Sequence, residues 1–149
     1  MLDRNKIEQV IDINQATVES KADAIMVNGH LFLYKNTGLT RRVFVNKELG
    51  IVVKVPITEH DRRYNQKEAD LWESMNDEKR KTFAETKILP NGFVIQEFLH
   101  TIDDEETAEW LGRSLTMDEI MFSGQCRNEV GFDKDGNLKC YDFDEYMKY

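Results

Sequence analysis

The sequence predicts an α+β fold: an antiparallel sheet with one main helix, followed by a smaller unit that ends in a hairpin. Three observations predict it. Three short runs rich in apolar residues, 31–35, 41–46 and 51–56, are separated by turn residues. An apolar stripe at 3/4 spacing runs through residues 61–75. Near the C-terminus, Asp135-Gly136 stands between two short apolar runs, which is a strong hairpin signal.

Taken in order, residues 3–20 read as a helical lead, with Ile7, Val10 and Ile11 on one stripe. LFLYK (31–35) reads as a strand, NTGLT (36–40) as a turn built on Asn36 and Gly38, and RRVFVN (41–46) as a second strand. KELG (47–50) is a tight connection to IVVKVP (51–56), a third strand closed by Pro56. The helix over 61–75 puts Tyr64, Glu68, Leu71, Trp72 and Met75 on one face. Two more strands are expected, TFAETKIL (82–89) and GFVIQEFLH (92–100), joined at Pro90-Asn91-Gly92. Residues 103–120 read as a helix with DDEE at the end where the dipole favours it, and with Trp110, Leu111 and Leu115 on its apolar side. VGF (130–132), the turn DKDGN (133–137) and LKCYDFD (138–144) close the chain. The expected core of the first part is Trp72, Leu71, Val53, Val55, Val94 and Phe93 or Ile95.

Composition narrows the function classes. The 149 residues carry 20 basic and 28 acidic side chains, a formal net charge of −8. That length fits one domain. The acidic balance argues against a general affinity for nucleic-acid phosphates and permits binding to basic proteins. There is no run of about 18 apolar residues to span a membrane. The charged start MLDRNKIEQ shows no secretory signal, and two cysteines, Cys126 and Cys140, make no disulfide framework, so a reduced, cytoplasmic setting is expected. The histidines His30, His60 and His100 stand apart, without metal-ligand spacing.

Two constellations carry chemistry. Lys54 interrupts an apolar strand and Glu68 interrupts an apolar helix face. They are either a solvated Lys and a Glu that never meet, or a pair joined across the strand–helix contact, each offsetting the desolvation of the other. A Lys so held reaches phosphate oxygens. The second is GFDKDGNLKCYDFD, in which Asp142 and Asp144 are either the polar face of an edge hairpin or, for Asp142, a magnesium ligand at a strand end. A calcium loop is excluded because its sixth position, where Gly is needed, is Leu138.

In this order the pieces resemble the protein-kinase fold, over about residues 30 to 144. TGLTRRVF is similar to the nucleotide-covering loop, with Gly38 alone where the family uses several glycines. VVKVP resembles the third-strand Lys motif, which implies that Lys54 contacts nucleotide phosphates and that Glu68, in NQKEADLW, is its helix partner. VIQEFLH is similar to the hinge strand, which places Gln96 to Leu99, with Glu97 and Leu99, at the adenine. YDFD resembles D-F-G, with Asp142 as the metal Asp and Asp144 in place of Gly. The resemblance implies one domain over 1–149, with a kinase-like N-terminal lobe and hinge at 1–100 and a truncated C-terminal lobe at 101–149 that ends at the D-F-x hairpin. ATP and magnesium are the cofactors that it would bring.

The departures from the family bear on activity. Its catalytic loop reads H-R-D-x-x-x-x-N. Counting back from Asp142 by the family's spacing lands on Glu129, and five residues further on Gly124, where the catalytic Asp belongs. Taking Asn128 as the family Asn moves that position to Ser123. Neither residue is a base for an attacking hydroxyl. Glu129 remains able to ligate a cation. About 24 residues separate His100 from this loop and five follow Asp144, too few for an activation segment or a substrate-binding lobe. The leading expectation is therefore a catalytically inactive, pseudokinase-like protein that binds and modulates or inhibits a partner protein, without membrane or direct nucleic-acid binding. Its size also resembles compact accessory proteins of bacteriophages. The alternatives are a minimal ATP/magnesium-dependent phosphotransferase, with a base such as Asp118 or one from another chain, and an acidic inhibitor of a nucleic-acid-binding protein.

Overall fold

The computed structural model describes residues 9–116 and 130–141. It is an α+β fold with a curled mixed sheet and few helices. The strands are β1 (Val10–Asp12), β2 (Ala24–Val27), β3 (His30–Thr37), β4 (Arg41–Asn46), β5 (Ile51–Pro56), β6 (Thr86–Ile88), β7 (Val94–Glu97), β8 (His100–Thr101), β9 (Val130–Phe132) and β10 (Leu138–Cys140). The helices are α1 (Arg62–Ser74), α2 (Asp77–Arg80) and α3 (Glu105–Thr116). One sheet runs β1-β2-β3-β4-β5-β7-β6 and the other β10-β9-β8.

The meander expected over 31–56 forms as β3, β4 and β5, antiparallel throughout. Its alternation decides the layering. Phe32, Phe44, Val53, Val55 and Phe93 are buried together with Ile25 in one core cluster on one face of the sheet. Val43, Val52 and Lys54 instead line a cleft. In register, Lys54 lies between Val43 on β4 and Val94 on β7.

The helical lead over 3–20 is corrected where the structure describes it. Residues 10–12 are a strand paired in parallel with β2, and turns follow it. Ile13 and Ala16 cover the apolar face of the sheet, so this segment's apolar residues are used as a lid rather than as a helix stripe. Strand β2 carried a legible signal, Asn28-Gly29. Both residues have positive φ (49° and 81°), and Val27 pairs directly with His30 around this two-residue turn.

Helix α1 forms as expected and buries Asn65, Glu68, Ala69 and Trp72, which recur at 3/4 spacing. The strand expected over 82–89 is shorter. Its first half pairs elsewhere: the Ala84 N–H donates to the Cys140 carbonyl at 2.8 Å and the Cys140 N–H to the Thr82 carbonyl at 2.9 Å. Likewise 92–100 divides between the two sheets, as β7 in one and β8 in the other. The hairpin at 130–140 forms, with Gly136 at φ 83° in its turn.

A second core cluster joins Trp72, Met75, Phe83, Ala108, Val130 and Cys140, with Leu71, Ile102, Leu111 and Leu138 packed against it. It ties α1 and α3 to the small sheet. Trp110, expected on the apolar side of α3, is 67% exposed; Ala108 and Leu111 face the core instead. The expectation of reduced cysteines is also corrected, since the buried Cys140 is disulfide-bonded. Among the described residues no helix is long and apolar enough to cross a membrane.

Candidate functional site

A cavity of about 680 Å³ opens between the large sheet and the segment that leads into α3. The turn after β3 roofs it through Gly38 and Leu39, and β4 and β5 form one wall through Val43, Val52 and Lys54. The end of β7 and the link to β8, residues 96–99, form another, and Ile102, Ala108 and Tyr141 close the far side. Gly38 shapes the roof: its N–H donates to the Arg41 carbonyl at 2.8 Å, which leaves Leu39 at the tip 98% exposed.

Lys54 and Glu68 meet. Lys54 Nζ stands 2.8 Å from Glu68 Oε1, with both side chains buried. The strand puts Lys54 on the cleft face because Val53 and Val55 take the core face. The helix puts Glu68 there because it shares a stripe with Asn65 and Trp72. Lys54 Nζ also donates to the Tyr141 carbonyl at 2.8 Å, so the hairpin end is tied to the same ammonium. Glu68 Oε1 further accepts from the Gln96 amide at 3.0 Å, and that amide also reaches Thr86 Oγ1 at 2.8 Å. A buried charge needs such partners, because desolvation without them costs several kcal/mol.

Two features of the site escaped the sequence reading. Arg41, buried at the start of β4, places Nη1 2.8 Å from Glu68 Oε2. The same nitrogen donates to Asn65 Oδ1 at 3.3 Å. Asn65 in turn donates to the carbonyls of Lys54 at 3.1 Å and Gly92 at 3.0 Å, fastening α1 to β5 and to the turn before β7. The available signal was positional: Arg41 is two residues from Val43 on a strand, so both share the cleft face. The second feature is Lys139 on β10. It stands 2.9 Å from Glu97 Oε1 and 3.1 Å from Asp133 Oδ2. Burial works to lower the Lys139 pKa, but the hydrogen bonds that its ammonium donates to both carboxylates outweigh it and the value is raised.

The structure thus brings together Gly38, Lys54, Glu97 and Leu99 on one cavity, with Glu68 buried behind Lys54. The Glu97 carboxylate is engaged by Lys139 and its N–H donates to the Glu85 carbonyl at 2.9 Å. Leu99 is buried, while Lys35 stands over the neighbouring Phe98 ring at 5.4 Å. Burial and the nearby Lys47 hold the Lys35 pKa below its ordinary value. The metal candidates Asp142 and Glu129, and the positions Gly124 and Ser123, lie outside the described residues. Among the described residues no group of three or more His, Cys, Asp or Glu side chains is placed to hold a metal.

Chemically, the site is a cleft with Lys35, Arg41 and Lys54 on its sheet side, Val43, Val52 and Leu99 as apolar wall, and the carboxylates of Glu97, Asp103 and Glu105 elsewhere on its lining. That combination accommodates a ligand with an anionic end and a flat apolar end. No protein-family model matches the chain, and no curated protein matches it.

Proposed function

We propose that this chain is a kinase-like protein that holds a nucleotide in the cleft without transferring its phosphoryl group, and that it acts by binding and modulating or inhibiting a partner protein. The observation that carries the cleft reading is the buried Lys54–Glu68 pair, 2.8 Å long, on the same cavity as Gly38, Glu97 and Leu99. A strand Lys held by a helix Glu, under a Gly turn and beside a hinge-like segment, is the arrangement that places nucleotide phosphates in kinases. Val43, Val52 and Leu99 supply apolar walls for a base.

The absence of transfer rests on the sequence. Phosphoryl transfer needs the acceptor hydroxyl oriented in line, and a carboxylate usually does this. Gly124 or Ser123 stands at that position. The working phosphotransferase is the second reading, and the intact Lys54–Glu68 pair favours it.

The test is incubation of the full chain with labelled ATP, magnesium or manganese, and generic protein substrates or itself. No label is expected to transfer. Transfer that disappears in both Lys54→Ala and Asp142→Ala variants would establish the phosphotransferase instead. For the partner, the tagged chain is used to isolate a protein that is then purified and mixed with it. A complex that survives both substitutions is the expected result.

A further inference from the structure

Arg41 has no counterpart in the pair expected at this site. It is a buried guanidinium on the cleft face of β4, one strand from Lys54, and it lines the same cavity. The two cations grip opposite oxygens of one carboxylate, each at 2.8 Å: Arg41 Nη1 on Oε2 and Lys54 Nζ on Oε1 of Glu68. The Gln96 amide adds a third donor to Glu68 at 3.0 Å.

This sharing has a consequence for an incoming anion. If one cation turns toward a ligand phosphate, the other cation and Gln96 keep Glu68 compensated. Neither movement strands a buried charge, which would otherwise be the main cost of anion capture here. A guanidinium is permanently charged, and its planar fork fits phosphate oxygens two at a time. Arg41 also follows directly on the turn that roofs the cavity through Gly38 and Leu39, so it sits where a ligand's phosphates would pass between roof and Lys54.

We propose that Arg41 is a phosphate-binding residue of this cleft, supplying beside Lys54 the positive charge that a divalent cation supplies in kinases, so that the chain binds nucleoside triphosphate without metal. The inference rests on the cleft reading above and names the residue that sets its cation requirement. Asn65 is the positioning residue, since its amide oxygen holds the same Nη1.

The experiment is calorimetric titration of the full chain with ATP, once in EDTA and once in excess magnesium. Comparable affinity in the two buffers is expected. Binding that requires magnesium overturns the inference and leaves the cleft reading standing. Absence of binding in both buffers overturns both. The Arg41→Met variant should bind ATP in EDTA about tenfold or more weakly, in line with loss of one charge-assisted contact. Arg41→Lys, which keeps the charge and the Glu68 pairing but not the fork, should lose less. Unchanged ATP affinity in Arg41→Met, with an intact unfolding transition, overturns the role of Arg41. If Arg41→Met does not fold, the wild-type comparison and Arg41→Lys decide: affinity for ATP in EDTA that is identical between wild type and Arg41→Lys also counts against it.

Discussion

Arg41 Nη1 stands 2.8 Å from Glu68 Oε2, both side chains buried, on the oxygen opposite to the one that Lys54 takes. Helix α1 is therefore fastened to two strands, β4 and β5, through a single carboxylate. In a pair with one cation, breaking the contact frees the helix. Here either cation alone still holds it.

The carboxylate is the member of this network that cannot be spared. Glu68→Gln leaves two buried cations facing an amide. Removing one partner of a buried pair typically costs about 3–5 kcal/mol, and this loss is expected in urea unfolding. A loss of about 1 kcal/mol or less, the range of exposed pairs, would contradict the burial of the network.

Trp72 joins α1 to the cluster that includes Phe83, Ala108 and Val130. Arg80 lies over its ring at 5.0 Å. Trp72→Ala removes the largest side chain of that cluster and is expected to cost about 3–5 kcal/mol in denaturant unfolding. A near-neutral effect would mean that the small sheet and α3 do not depend on α1 for their packing.

Gly131 on β9 has no room for a side chain. A Cβ there would lie 2.6 Å from the His100 carbonyl oxygen and 2.9 Å from Leu99 Cβ. Gly131→Ala must push β9 away from β8, next to the cleft wall at Leu99. The expected destabilisation is about 1–3 kcal/mol, read as a lower thermal midpoint. ATP affinity in the same variant should fall, because the shift moves Leu99.

Asp133 gives the fold an acid-sensitive point. Burial works to raise its pKa, but hydrogen bonds from the Asn137 backbone, Lys139, the Asn137 amide and the Asp135 backbone outweigh it and lower it from 3.8 to about 2. Because the folded value lies below the unfolded one, this carboxylate stabilises the fold fully above about pH 4. The contribution is lost as pH falls toward about 2. Thermal midpoints measured across that window should fall less steeply with acid in Asp133→Asn than in the parent chain. Equal slopes would show that Asp133 is not held as the geometry indicates.

The meander at 31–56, the helix at 61–75 and the hairpin at 130–140 were legible in the sequence because each rests on local physics. Alternation sets strand faces, 3/4 spacing sets a helix face, and Asp-Gly or Asn-Gly favours a tight turn. Glu68 stood out for the same reason, as a charge within an apolar stripe. The segment at 10–20 was misread because Val10 and Ile11, read as part of a helical stripe, also fit a short strand, and only the sheet face beneath Ile13 and Ala16 chooses between them. The split of 82–89 and 92–100 was not legible either, since Phe83 and Ala84 take their partners from Cys140, more than fifty residues away. Arg41 was hidden for the same kind of reason. Its neighbours in sequence are a turn and a strand, while its meaning comes from Glu68 on another element. Local propensity determined the meander, α1 and the hairpin, and which faces the meander and α1 bury. The pairing of charges across elements, and with it the character of the cleft, was decided only when the sheet and α1 packed, because a buried cation is stable only where the fold delivers its counter-charge.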